Sequence, residues 1–483
     1  MKKICILGSG AGGGVLALEL SKIWPGEICI IDLDSKSKKY KRVTQLKAKF
    51  ISNVDNKNTR GFGLGGGSNL WHGVITTLDK QDYNAIDNEA GTKLTKNLNL
   101  GWSELRRYFP YAVKLLKKKI SNDFSKTLIK EGNLIFKKYL VSPFPLRLRK
   151  LLIKELSSNH KLNYVDNALA LKLNTDNSNN IFSVDCIKKN KTIAVRADIF
   201  ILSLGAIENP RILLQSFNNK LYQSKSIGKN LIDHPFATIG KIYLPKKIIY
   251  RANGYSSILL NSTLRFGYVQ SNARVGQNHS ILIRPSISND IRLDRQNIKK
   301  LIYGKINFTL ILSILRSKTL FKTCLILMSE KFGIGYFTNV FDITMQFEMY
   351  RKDNAQIKLS KQMDSFGRLI PQVNYKVPKR FYADIRKMQR QIKESLFNQA
   401  VFKNYSISDI SFTSGAHYSG TCRLGFNPKS SVVDKNLKYH QINNLYICDS
   451  SVLPFIGNSN LFFTISLFSI RLAKHLYKKY ISS

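Results

Sequence analysis

Acidic residues are scarce in this chain. Against 76 lysines and arginines stand 31 aspartates and glutamates, a formal charge of +45 over 483 residues. An acidic, mainly disordered polypeptide is excluded, because 43% hydrophobic and 11% aromatic residues supply ample material for packed cores. The basic excess has two readings. One is an anionic partner such as nucleic acid, a membrane surface or a polyanion. The other is codon bias, since isoleucine and asparagine are also abundant. The lysines are scattered and form no long tail, and runs such as KLLKKK at 114–119 suit one solvated helix face. Codon bias is preferred, and no specific nucleic-acid partner is expected.

Other absences narrow the field further. The six cysteines (Cys5, Cys29, Cys186, Cys324, Cys422, Cys448) include no CxxC pair and several lie in apolar runs, which points to buried thiols in a reducing compartment. A cytoplasmic location, peripheral at a membrane at most, is the expectation. No His, Cys, Asp or Glu group has metal-ligand spacing, so no metal is expected. Ser450-Ser451 lacks the Gly-x-Ser-x-Gly context of a hydrolase nucleophile. No uncharged apolar run reaches the roughly 18–20 residues that span a bilayer. INFTLILSIL (306–315) comes nearest, but ends at Arg316 and continues through SKTLFKTCLILMSEKFG. This reads as a basic, apolar helix pair, preferably a core element or lid, with a surface resting on a membrane as the other reading. There is no internal repeat. At this length two domains, or one large domain with insertions, are expected.

What is present begins at once. MKKICILGSGAGGGVLALEL has the lysines and apolar run of a secretory signal, but glycines interrupt it and a phosphate-binding pattern occupies it, so it reads as folded structure. KICIL is of strand type, and VLALELSKIW has helical spacing. Between them Gly8, Gly10 and Gly13 stand in GxGxxG register. Gly8 permits a tight turn, Gly10 the approach of a pyrophosphate, and Gly13 close packing of helix on strand. A second strand, EICIID, ends at Asp32, 19 residues beyond Gly13, where a carboxylate can hold ribose hydroxyls. A dinucleotide site follows, with NAD and FAD both open.

GFGLGGGSNLWHG (61–73) carries three consecutive glycines, suited to a backbone that approaches a large flat ligand or a phosphate. Residues 74–150 read as polar and helical. NYVDNALALKL (163–173) returns to strand character, and VRADIFILSLGAIENPRILLQS (195–216) runs from strand into helix, with Pro210 opening the helix. Residues 345–377 read as strands joined by Asp-Asn and Phe-Gly turns, and 379–397 as an amphipathic helix. GAHYSGTCRLG (415–425) places His417 among glycines and hydroxyl residues; NLYICD is a buried strand ending at Asp449, and the chain from Phe463 onward is helical and apolar.

Five ordered blocks, at 8–14, 65–73, 201–216, 227–235 (IGKNLIDHP) and 415–476, together resemble the glucose–methanol–choline (GMC) flavoprotein oxidoreductases. The resemblance implies an α/β protein, α+β overall. Its Rossmann-type FAD-binding domain would be split over 1–75, 160–235 and 415–483. Residues 76–159 would form a connecting, helical region, and 236–414 a substrate domain built on an antiparallel sheet with helices. Gly8, Gly10, Gly13 and Asp32 would hold the ADP half of FAD. Gly66, Ser68, Asn69 and Trp71 would lie along the flavin and pyrophosphate, and Asp449 near the pyrophosphate and ribityl chain. Relatives that attach FAD covalently use a histidine one place before Trp71. Leu70 occupies that place here and His72 follows Trp71, so non-covalent FAD is expected.

The block H-x-x-G-T-x-R-[ML]-G marks His417 as the base that faces the flavin in this family. Asn460, in GNSNLFFTI, takes the place of its His or Asn partner, and Leu461 replaces the usual proline. His234 reads as structural, His440 receives no role, and His72 could tune the flavin or simply pack. The expected activity is oxidation of a CH–OH group on a small sugar-like or polyol alcohol, with proton abstraction at His417 and hydride transfer to flavin N5. The electron acceptor (oxygen, a quinone or a protein) stays open. The rivals are an FAD protein of the same fold with lyase-like chemistry, and a basic membrane- or polyanion-binding protein.

Overall fold

Three apolar tetrapeptides, ICIL (Ile4–Leu7), ICII (Ile28–Ile31) and IFIL (Ile199–Leu202), have no polar alternation, and each is buried throughout. Strands of this kind belong inside a parallel sheet covered on both faces. In the computed structural model they are neighbours in a five-stranded parallel sheet, ordered 445–447, 199–202, 4–7, 28–31, 162–165. The structure describes all residues except 34–46, 58, 72–73, 76, 79, 88–98, 116–126, 132–133, 138–139, 142–145, 218–223, 251–264, 269–278, 303–306, 333–334, 350–352, 396–400, 458 and 483. His72 therefore lies outside the described residues.

The chain winds outward from Ile4–Leu7 in both directions, first to 28–31 and 162–165, later to 199–202 and 445–447. Strand order reverses between 4–7 and 199–202. A crevice outside the carboxyl ends of those two strands is where a doubly wound sheet accepts a ligand. The first helix, Ala11–Ile23, and the last, Leu461–Tyr480, pack together over the sheet, where Ser469 Oγ donates to the Gly12 carbonyl at 3.1 Å.

A second layer grows from the long antiparallel pair Phe236–Tyr250 and Tyr336–Gln346, extended by Ser280–Pro285. Helix Arg380–Ser395 lies against it, with Phe381, Ile385, Met388 and Ile392 buried at helical spacing. Strands Gln356–Met363 and Leu369–Tyr375 form a hairpin; Asn354 before it and Gly367 at its turn have positive φ. Its second strand pairs in parallel with Lys49–Ser52 and so links the two layers.

Two expectations are corrected. Residues 74–150 are not wholly helical: Thr127–Glu131 and Leu134–Lys137 are strands, paired with each other and joined to the large sheet through Arg265–Tyr268. Each holds only a short apolar run, Leu128-Ile129 and Leu134-Ile135-Phe136, too brief to show a strand period within a polar stretch. Pro210 does not open its helix. It is the sixth residue of Gly205–Ser216, where its missing N–H deprives the Ala206 carbonyl of a helical partner. Thr421 Oγ1 supplies one, donating to Ala206 O at 2.7 Å.

Candidate active site

The turn after the first strand is made by Gly8, at φ +92°, where an added Cβ would stand 2.4 Å from the Ser203 carbonyl oxygen. At Gly13 a Cβ would meet the Gly8 carbonyl at 2.1 Å. Both positions are closed to larger residues. Ser9 then does what the sequence did not announce. Its backbone N–H and its hydroxyl both donate to Asp32 Oδ2, at 2.8 and 2.5 Å, and its oxygen accepts the Gly65 N–H at 2.9 Å. The acid at the end of the second strand is thereby tied to the second glycine-rich segment.

That segment turns through a short 3₁₀ helix, Gly66–Asn69. Ser68 Oγ donates to Gly65 O at 2.6 Å, and Asn69 Nδ2 donates to Leu64 O at 3.0 Å. Arg147 Nη1 fastens the turn by donating to the carbonyls of Ser68 and Trp71, both at 2.9 Å. Trp71 stacks on Phe462 with ring centroids 4.5 Å apart, and its Nε1–H donates to Leu146 O. Across the crevice, Asp449 Oδ2 accepts the Gly205 N–H and the Asn209 amide, and Oδ1 accepts the Ser451 N–H. Burial pushes this carboxyl above its ordinary range, and the hydrogen bonds oppose that rise.

One cavity, of about 300 Å³, touches nearly all of these groups. Gly8, Gly10, Asp32, Gly66, Ser68, Trp71, Asp449, His417 and Asn460 are on its wall. Gly13 and Asn69 are behind the wall, engaged in packing and in holding the turn.

His417 sits in a loop whose backbone is fixed from below. Asp233 is fully buried and accepts three hydrogen bonds there: from the His417 N–H at 2.8 Å, Ser414 Oγ at 2.6 Å and Tyr375 Oη at 3.0 Å. Burial pushes the Asp233 carboxyl up, and these three donors oppose it. Ala416, just before the histidine, is held at φ +57°, a conformation a side-chain-bearing residue adopts only under constraint. The next residue in the IDHP block is His234, read from the sequence as structural, and it reaches His417. Its Nδ1 is 2.9 Å from His417 Nδ1, and its Nε2 is 2.7 Å from the Gly457 carbonyl oxygen. A carbonyl can only accept, so His234 Nε2 carries a proton, and in the neutral ring Nδ1 is bare. His417 Nδ1–H must then donate to it. The lone pair of His417 is left on Nε2, which faces Asn460 Nδ2 at 3.4 Å on the cavity wall. Asn460 occupies the N-cap position of the last helix but makes no side-chain capping bond.

This arrangement can be set beside known proteins. Residues 352–469 match the family model described as GMC oxidoreductase. Over that stretch the chain resembles the GMC oxidoreductases. The fructose dehydrogenase large subunit of Gluconobacter japonicus is 24% identical over 321 residues, 64% of this chain. The 6'''-hydroxyparomomycin C oxidase of Streptomyces lividus is 31% identical over 126 residues, 25% of this chain. The matched stretches span 53% and 23% of those relatives. Among solved structures, pyridoxine 4-oxidase from Mesorbium loti superposes with a TM-score of 0.64 at 15% identity, covering 99% of both chains. A variant formate oxidase of Aspergillus oryzae RIB40 superposes at 0.60 and 14%, covering 100% of this chain and 99% of that one. These two similarities establish the fold.

GMC oxidoreductases carry FAD, and the cradle in this chain fits such a group. A Cβ built on Gly67 or Gly205 would meet nothing within 4 Å, and one on Gly10 nothing closer than Gly67 N at 4.0 Å. These backbones are bare on the side where a phosphate must approach them. The first helix starts at Gly10 with no side-chain cap, and its N-terminus favours an anion. Beside the same cavity lies a buried ionic cluster. Glu208 pairs with Arg60, Arg211 and Arg368, and Asp364 pairs with Arg211 and Arg368. Burial pushes the Glu208 carboxyl up, but the three guanidinium groups outweigh it and hold it down at about 2. Neither this cluster nor the pairing of His234 with His417 could be read from local sequence, since their members come from segments far apart in the chain.

Proposed function

We propose that this protein is a GMC-type, FAD-dependent enzyme that oxidises a CH–OH group on a sugar-like or polyol alcohol. The FAD would be held without a covalent link, by Gly8, Gly10, Asp32, Gly66, Ser68, Trp71 and Asp449, with Gly13 and Asn69 shaping the turns behind them. Segments 1–75, 160–235 and 415–483 would form the FAD-binding unit, joined by residues 76–159, and 236–414 would form the substrate side. Leu70, in the place where some relatives attach the flavin, offers no nucleophile. Resemblance to proteins named for fructose and for a paromomycin derivative favours a sugar-like substrate.

When bound, FAD supplies the acceptor for a hydride. The chain's own work concerns the proton. His417 Nε2 removes the hydroxyl proton of the substrate, because His234 holds the proton of the opposite nitrogen. The Asn460 amide donates to the oxygen that develops negative charge. Asp233 holds the loop so that the imidazole does not have to be ordered during the reaction. The observation that carries this reading is the relay Gly457 O, His234, His417, Asn460, ending on the wall of the cavity that begins at Asp32.

The test is the visible spectrum of the purified protein, before and after denaturation and filtration, followed by anaerobic titration with sugars and polyols. A flavin that passes the filter and is bleached by one of them supports the proposal. Flavin retained on the protein would overturn the non-covalent assignment. A flavin that stays oxidised while a substrate is consumed would favour lyase-like chemistry.

A further inference from the structure

Residues 308–332 form two helices, Phe308–Leu315 and Leu320–Phe332, and both carry their apolar stripe on the wrong side for a core. In the first, Leu310 and Ile314 are buried, while Phe308, Ile311 and Leu315 recur at i, i+3 and i+7 on the solvent side. In the second, Thr323, Ile326 and Ser329 are buried, while Phe321, Met328 and Phe332 recur at i, i+7 and i+11 and are exposed. Phe308, Leu315, Phe321 and Phe332 are 75, 70, 77 and 66% exposed. Scattered exposed apolar residues need no explanation; two aligned helical stripes do.

The pair is anchored. Asp294, on helix Asn289–Ile302, accepts hydroxyls from Ser317 at 2.6 Å and Thr319 at 2.6 Å in the turn, and from Thr323 at 3.2 Å. The stripes are therefore presented on a braced turn. Their charge is mainly of one sign. Residues 307–332 carry four basic residues, Arg316, Lys318, Lys322 and Lys331, against one acid, Glu330, and Arg316, Lys318 and Lys322 are exposed. Among the described residues no helix is long and apolar enough to cross a membrane. An apolar stripe bordered by cations, on helices too short to span, suits the interface of a bilayer bearing anionic lipids.

We infer that the 308–332 helix pair docks this protein on an anionic lipid surface. Phe308, Leu315, Phe321 and Phe332 enter the headgroup–acyl boundary, and Arg316, Lys318 and Lys322 meet the lipid phosphates. This goes beyond the catalytic proposal and does not depend on it. A second copy of the chain or another protein subunit is the rival occupant, but a patch with four basic residues against one acid repels its own copy more than it pairs with it.

The full-length protein is mixed with phosphatidylcholine vesicles, with and without phosphatidylglycerol, and sedimented. Phe321→Trp serves as a fluorescent reporter, with brominated lipid as quencher. The expected result is binding to the anionic vesicles with a blue shift and quenching at position 321. Binding should weaken about tenfold or more in Phe308→Ser/Phe321→Ser, and also in Arg316→Glu/Lys322→Glu. Both pairs are at the surface, and an unchanged melting temperature will verify their folding. Absence of binding would overturn the inference. So would binding without quenching, which would mean that the general +45 charge suffices. Self-association abolished by the serine pair, without vesicle binding, would assign the face to a protein partner instead.

Discussion

His234 Nδ1 lies 2.9 Å from His417 Nδ1, with the two rings nearly perpendicular at 89°. Because the far nitrogen of His234 is committed to the Gly457 carbonyl, the proton between the rings belongs to His417. On the proposed mechanism a histidine pair would do here what a carboxylate–histidine pair does elsewhere, fixing the tautomer of the base, but without placing a charge beside it. Replacing His234 with leucine should lower kcat by about a hundredfold, the lower end of what a positioned base contributes, with little change in KM. His234→Gln, whose amide oxygen can still accept from Nδ1, should recover part of the loss. Equal loss in both variants, or loss of flavin along with activity, would reduce His234 to a packing residue.

The glycines of the first turn should separate by consequence. Gly10→Val places its side chain in open cavity, so the apoprotein should keep its melting temperature while FAD affinity falls about tenfold or more. Gly13→Val drives a Cβ into the Gly8 carbonyl and should cost about 1–3 kcal/mol in the apoprotein itself. Differential scanning calorimetry of both apoproteins, with FAD titration, distinguishes the two roles.

Pro210 makes a further test of packing. Thr421→Val leaves the buried Ala206 carbonyl without the hydroxyl that replaces its helical donor, and should destabilise by about 1–3 kcal/mol. Thr421→Ser should lose much less. Chemical denaturation of the two variants measures the difference.

The arginine cluster has a predicted acid signature. The Glu208 carboxyl is held at about 2 in the folded protein against an ordinary 4.5. Its contribution, on the order of 3 kcal/mol, is complete above pH 4.5 and is lost as pH falls toward 2. Glu208→Gln should therefore be much less stable than wild type at neutral pH, and the gap should close across that window. A gap that does not change with pH would mean that shape, not charge, is what Glu208 supplies.

Much of the site was legible because its geometry is local. A strand, a glycine turn and a helix within thirty residues dictate where Gly8, Gly10, Gly13 and Asp32 must stand, and the block around His417 carries its own pattern. His234 was read as structural because its partner is 183 residues away and nothing in IDHP announces it. Arg147 and Ser9, which brace the second glycine turn, have the same obscurity. Strands 127–131 and 134–137 were missed because their apolar runs, two and three residues long, are too short to show a period. The apolar 306–332 stretch was recognised as helical and basic, but periodicity alone cannot say which stripe faces inward. The core reading holds for one side of each helix, and the other side is exposed.

The central claim is that His417 Nε2 is the base for a CH–OH substrate. Its most direct measurement is the anaerobic rate of flavin bleaching by the best sugar or polyol, in wild type and in His417→Ala, both loaded with FAD. The account expects the variant to bind FAD normally and to be bleached about 10²- to 10⁴-fold more slowly. Equal bleaching rates in the two proteins would contradict it.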